Sequence, residues 1–391
     1  MDGRTFSRRA GLAASLTTLA SVSGAGTAGT AGGVAAAAPH AQAGRPRYAV
    51  TDLGTLGGPT SGNASALSPA GAVGGGAETP AGTEHAFLWE RGVLRDLGTL
   101  PGGELSRAVR MNGRGQVVGL STTGPGQAFG QPGAHAFLWE GGEMRDLGTL
   151  PGGAFSRANG INDGGQAVGF SDSAEGIRAT LWDRGRAISL GAPPGSAASN
   201  AIRLTDDGRV IGYAGASQVL GPGSRALLWD RGATVDLGVL PGTDRSGAYG
   251  INAAGQIVGD GGNAPGTRAF LWERGALHDL GTLPDSTTSS ALAINAAGQA
   301  VGYAFTPPDP PNGGRAVLWQ RGTPLDLNEL IPPNSGWELR VAAEINEAGQ
   351  IAGFGTLGGR QRAYLLTPLA PGGLPRTGAG PAGGSGAERD R

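Results

Sequence analysis

The chain has 391 residues, 30 of them basic and 31 acidic, for a formal charge of −1 and a pI near 6.4. That balance excludes the basic footprint of a nucleic-acid-binding surface. The absence of cysteine excludes disulfides, a lipid-modified cysteine anchor and thiolate chemistry. Glycine and proline, at 76 and 26 residues, reach the range of low-complexity chains only where no period is present, and here there is one.

In chain order, the first element is an address. "TFSRRAGLAASLTTLASV" sets Arg8 and Arg9 before a weakly apolar stretch, and Ala41-Gln42-Ala43 offers a small-residue cleavage site. Residues 1–43 resemble a twin-arginine export signal, although Gly11 and Leu12 stand where a Phe-Leu pair is usual. The expectation is a secreted protein whose mature chain begins near Gly44. No later segment reaches 18 consecutive apolar residues, so no membrane span is expected in the mature chain.

Three phrases then recur. A basic residue followed by "AFLW" or its variants starts at His85, His135, Arg178, Arg225, Arg268, Arg315 and Arg362. "DLGTL" or its relics start at Asp52, Asp96, Asp146, Ser189, Asp236, Asp279 and Asp326. "INxxGQxVG" and its variants start at Leu67, Met111, Ile161, Leu204, Ile251, Ile294 and Ile345. The period of about 46 residues is that of a four-stranded propeller blade. Within a unit, "INAAGQIVG" reads as a hairpin around a glycine-bearing turn. "AFLWERGALHDLG" reads as a second hairpin turning at Arg274-Gly275.

The spacings also sort the two ends of the unit. The basic residue precedes the aspartate position by 11 residues in every unit that has both. The distance from the glycine closing "INxxGQxVG" to the next basic residue varies from 9 to 16. Length variation therefore collects between the second and third strands, on the face that also carries the "LPGG" connections. That face is the expected binding face, with loops 120–134, 213–224 and 303–314 as its longest parts.

The chain starts and ends in mid-unit. "YAVTDLGTL" supplies a lone fourth strand and "INEAGQIAG…RAYLLTP" a unit lacking one. Pairing the two closes a ring and hides both sheet edges. The expectation is an all-β, seven-bladed β-propeller over residues 44–370, closed by its N- and C-terminal strands, followed by a Gly/Pro-rich tail over 371–391. "LPRTG" in that tail, starting at Leu374, resembles a sortase signal but lacks the apolar stop and basic end that sorting needs.

The phrases "HAFLW", "DLGTL" and "INxxGQxVG", in this order over roughly residues 48–368, resemble the bacterial extracellular repeat family named for its HAF motif. "DLNELIPPNSGWELRVAAEINEAGQIAG" resembles that family's usual last unit. The resemblance implies secretion and a propeller-like β fold, and it implies no activity. This chain departs from the pattern in having Arg for His in five of the seven motifs and in losing the Asp at Ser189.

No constellation carries obvious chemistry. The four histidines, His40, His85, His135 and His278, show no metal-ligand spacing, and no metal or cofactor is expected. There is no GxSxG elbow, and the acids mostly repeat in register, which suits structure more than an asymmetric catalytic site. The 11-residue offset places the basic residue and the aspartate diagonally across a hairpin, within side-chain reach. The expected structural pairs are His85 with Asp96, His135 with Asp146, Arg225 with Asp236, Arg268 with Asp279, Arg315 with Asp326 and, across the ring closure, Arg362 with Asp52. Each is worth about 0.2–1 kcal/mol. Trp337 lies outside the repeat and is the one candidate binding residue, for sugar stacking or as a plug on the ring's face. The function expected is an exported, monomeric, non-catalytic binding or scaffold module for an extracellular glycan or protein. The alternative is a glycan hydrolase or lyase with its site at the propeller axis, drawing on non-repeat acids such as Asp309 or Glu338.

Overall fold

Two tight turns set the shape of each repeat. In the computed structural model, which describes residues 48–263, 266–307 and 314–370, Arg91 and Gly92 both take positive φ, at 51° and 84°. This is the mirror-image turn whose twist matches the strands it joins. The first blade runs Ser61–Leu67, Val73–Glu78, Glu84–Glu90 and Val93–Asp96, in antiparallel order. Six more sheets of four strands follow the same plan. Their first strands are Ser106–Met111, Ser156–Ile161, Ala198–Leu204, Arg245–Ile251, Thr288–Ile294 and Trp337–Ile345. These first strands touch one another in cyclic order, so they line an axis and the seven sheets form a ring. The chain is a seven-bladed β-propeller.

The ring closes through the chain's two ends. Tyr48–Asp52 pairs antiparallel with Arg360–Pro368, with Tyr48 opposite Pro368 and Asp52 opposite Tyr364. The N-terminal strand thereby becomes the outer strand of the seventh blade. Among the described residues no helix is long and apolar enough to cross a membrane. The export leader and the tail lie outside the described residues.

The core is divided among the blade interfaces. Leu88 of the first blade packs with Met111, Phe137 and Trp139 of the second. Trp182, Trp229 and Trp319 sit in equivalent layers farther round the ring. Tyr48, 1% exposed, lies in the layer between the sixth and seventh blades beside Leu318 and Leu327. The recurring tryptophans therefore serve packing between blades, and both faces of every sheet are covered, as near-continuous apolar strands require.

A bulge recurs in every first strand. The register slips between Ala108 and Arg110, and at the corresponding place in the other six blades. The slip turns a first-strand carbonyl onto the second strand. A Cβ on Gly119 would stand 1.9 Å from the Arg107 carbonyl oxygen, and one on Gly302 would stand 1.9 Å from that of Ser290. No side chain fits there, which explains the glycine that closes "INxxGQxVG" in every unit.

The aspartate of "DLG" has a different main task from the one its spacing suggests. Its carboxylate accepts the backbone N–H two residues on. The distance is 2.8 Å from Gly98 to Asp96, 2.7 Å from Gly148 to Asp146 and 2.7 Å from Gly281 to Asp279. Asp52 does the same for Gly54, Asp236 for Gly238 and Asp326 for Asn328. Ser189, where the aspartate is lost, accepts the Gly191 N–H through its hydroxyl at 3.1 Å. The position thus requires a short side-chain acceptor for a turn, and serine meets that need.

The expected ion pairs divide. His85–Asp96, His135–Asp146, Arg225–Asp236 and Arg315–Asp326 lie at 2.9, 2.7, 3.2 and 3.2 Å. Among the described residues no ion pair joins Arg268 to Asp279 or Arg362 to Asp52. An exposed arginine pair gains little in water against the side-chain entropy it loses, so its presence in one blade and absence in another changes little. Ring closure accordingly rests on the strand pairing.

A serine latch joins each of six blades to the one before. Ser106 Oγ accepts the Ala86 N–H at 2.8 Å and donates to the Gly98 carbonyl, both in the preceding blade. Ser156, Ser199, Ser246 and Ser289 repeat the arrangement. Ser61 takes the Ala363 N–H at 2.8 Å across the closure. In the seventh blade Asn328 substitutes, accepting the Leu339 N–H at 2.7 Å and donating to its carbonyl at 3.0 Å.

Candidate functional site

The bulges matter most at the axis. Beyond each bulge the first strand presents one residue just before the repeated apolar position. It is small in four blades: Ala66, Gly160, Gly250 and Ala293. In the other three it is Arg110, Arg203 and Glu344. Small residues keep the axis open, and the three large charged ones fill it. The Glu344 carboxylate accepts from Arg203 Nη2 at 2.6 Å and Nη1 at 3.1 Å, and the Arg110 guanidinium lies against its Oε1. Arg203 also donates to the Tyr249 carbonyl at 2.6 Å and the Leu292 carbonyl at 3.0 Å. Two cations share one anion here, deep in the ring. Burial pushes Arg110 well below the usual guanidinium range, and the charge of Arg203 lowers it further. Burial alone pushes Arg203 down to about 9.

This cluster separates two chambers. The chamber on the "INxxGQ" face, about 530 Å³, is wide and polar and is rimmed by Asp163, Asp206, Asp207 and Glu347. The other chamber, about 280 Å³, opens between the strand 2–3 loops, where Phe129 and Gln218 contribute to its wall. Its lining is uneven. Val109, Leu120, Phe155, Phe170, Ile202 and Leu292 are apolar, whereas Arg107 and Arg157 join Arg110 and Arg203. Asn63, Asn159 and Asn200 supply amides.

The two upper arginines differ. Both nitrogens of the Arg107 fork, Nε and Nη2, meet the Glu84 carboxylate. Its guanidinium also lies 5.0 Å from the centre of the Phe129 ring, a cation–π contact that ties a variable loop to the chamber. Arg157 has no carboxylate partner among the described residues. Its Nε is buried without a hydrogen bond, while part of the side chain stays open to the chamber. Burial, and then the neighbouring charge of Arg107, push it down to about 10. Asn159 holds Asn200 Oδ1 and the Ala201 carbonyl, both at 2.9 Å. Asn63 Oδ1 is buried and unpartnered. Counting Glu344 and Glu84 against the four arginines, the chamber carries a surplus of two positive charges.

The residues singled out by sequence lie elsewhere. Trp337 is half-buried in the layer between the sixth and seventh blades, edge-on to Tyr364 with ring centres 5.8 Å apart, and does not line the chamber. Glu338 pairs with Arg340 at 2.5 Å and accepts the Thr356 hydroxyl at 3.0 Å. Asp309 lies outside the described residues. Among the described residues no group of three or more histidines or acids is placed to hold a metal ion. Arg110, Arg203 and Glu344 sit one position before the repeated apolar residue, where the repeat has no fixed residue and so no pattern marks them. The clue was "AVRMN", "AIRLT" and "AAEIN" against "ANGIN", "AYGIN" and "ALAIN".

No family model and no curated protein matches the chain. Solved structures similar to it include the β-propeller domain of the Trilobed protease from Pyrococcus furiosus. That domain is 11% identical over 67% of this chain and 79% of its own length, with a TM-score of 0.45. A gluconolactonase from Xanthomonas campestris is 14% identical over 66% of this chain and 83% of its own, at a TM-score of 0.36. The Trypanosoma rangeli sialidase is 8% identical over 82% of this chain and 58% of its own, at 0.40. Likenesses of this strength assign no activity.

Proposed function

We propose that the protein is an exported, non-catalytic binding module of the HAF-repeat type. Its ligand enters the axial chamber from the face of the strand 2–3 loops. One observation carries this reading. The chamber wall is built from side chains that break the repeat: Arg107, Arg110, Arg157, Arg203 and Glu344. The fold needs no such asymmetry, since small residues hold the same axial positions in four blades. Burying that many charges is costly for a purely structural purpose. The enzymatic alternative has less support. Glycoside hydrolysis uses two carboxylates flanking the bond, and Glu344, the one acid in the chamber lining among the described residues, is already clamped by two arginines.

The test is a glycan and peptide array with the mature chain, followed by hydrolysis assays on every hit. Binding should survive Arg274→Gln in an exposed turn of the opposite face and weaken with Phe129→Ala at the chamber mouth. Hits that respond the other way round would put the site on the wrong face. Turnover of a hit would replace the binding reading with the enzymatic one.

A further inference from the structure

The reading of the axial chamber as a binding site leaves its ligand open, and the unsatisfied groups in its wall narrow the choice. A guanidinium set deep in a protein is ordinarily met by a carboxylate. Arg107 has Glu84, and Arg110 and Arg203 share Glu344. Arg157 has none among the described residues, and its buried Nε has no acceptor there. The adjacent Arg107 is neutralised by Glu84, and among the described residues no carboxylate balances Arg157. Two blades away round the same chamber, Asn63 Oδ1 is a buried acceptor with no donor among the described residues. Beside Arg157 lie the rings of Phe170, its neighbour on the next strand, and Phe155, two residues before it, and Phe129 adds a third ring to the lining. The chamber, at about 280 Å³, falls near the small end of the sites that hold small molecules.

We propose that the chamber binds a small hydroxylated organic carboxylate of the size and kind of a hexuronate. The ligand's carboxylate meets the Arg157 fork, a hydroxyl donates to Asn63 Oδ1, and the C–H face of the ring lies on the phenylalanines. A planar guanidinium suits this task because its paired N–H groups match the two carboxylate oxygens. The wall supplies an apolar surface that inorganic phosphate would leave unused, and a charge that a neutral sugar would leave unpaired.

The experiment is calorimetric titration of the full chain with glucuronate, glucose and inorganic phosphate. It is run on the natural protein, on Arg157→Gln, on Arg157→Lys and on Arg274→Gln as a remote control. Glucuronate should bind at least about tenfold more tightly than glucose or phosphate, the difference a charged hydrogen-bonded pair makes. Arg157→Gln should bring glucuronate down to the level of glucose. Arg157→Lys should keep part of the preference, and Arg274→Gln all of it. Without ligand, Arg157→Gln should melt no lower than the natural protein, because no internal partner is lost; a purely structural arginine would give the opposite. Glucose binding as tightly as glucuronate, phosphate matching glucuronate, or none of the three binding would each overturn this ligand class. In any of those cases the axial binding face would still be judged separately, by the response of array hits to Phe129→Ala.

Discussion

Replacing Glu344 by glutamine tests the physics of the axis. The change keeps the shape of the side chain and removes the one anion shared by Arg110 and Arg203. Glu344 is 5% exposed, so water cannot take its place. Breaking a buried ion pair from one side costs about 3–5 kcal/mol, because the partner charge is left uncompensated. Unfolding entropy of about 2.1 cal/mol/K per residue, over a ring of roughly 320 residues, comes to about 0.7 kcal/mol/K. The melting temperature should therefore fall by about 5–7 °C in scanning calorimetry at neutral pH and low salt. The combined change Arg110→Met, Arg203→Met and Glu344→Leu should be neutral or stabilising, because it removes both the attraction and the desolvation cost. A Glu344→Gln protein that melts within about 1 °C of the natural one would mean that the axis is hydrated enough to screen the cluster, and the reasoning from burial would be wrong.

Two further outcomes follow from other parts of the ring. Asp260 is buried at 1% exposure, and burial raises its carboxyl to about 6 against the opposing charge of Arg245 and the hydrogen bond from the Tyr249 hydroxyl at 3.2 Å. With the folded value above the unfolded one, its contribution to stability is complete below about pH 4 and is lost as pH rises through about 6, in all about 2–3 kcal/mol. Urea midpoints from pH 4 to 7 should show that decline in the natural protein relative to Asp260→Asn, and parallel curves would refute the assignment. Deleting residues 48–58 removes Tyr48 and Leu53, 1% and 3% exposed, together with the closing strand. At about 1.5–3 kcal/mol for each large apolar side chain, the loss is a large share of a typical stability of about 5–15 kcal/mol. Asp52→Ala removes only the exposed turn contact to Gly54 and should cost under about 1 kcal/mol. A deletion that melts like the intact chain would mean the ring does not depend on its closure.

The repeat itself determined the architecture. Strand count, turn positions, the face that varies and the mid-unit ends were all visible because each depends on residues close in sequence and restated about every 46 residues. A turn that needs positive φ, or a second strand crossed by a carbonyl, constrains the same position in every unit. The role of the "DLG" aspartate was only half legible. Spacing showed that it could reach a basic residue, but only the structure showed the turn amide it holds in every unit, a task Ser189 performs equally well. The axial chamber was not legible. Arg110, Arg157, Arg203 and Glu344 come from four blades, at positions where the repeat has no fixed residue, so each looks like drift within its own unit. Closing the ring puts these departures within a few ångströms of one another, away from water. There the charges of Arg110, Arg203 and Glu344 answer one another, whereas Arg157 meets no carboxylate among the described residues.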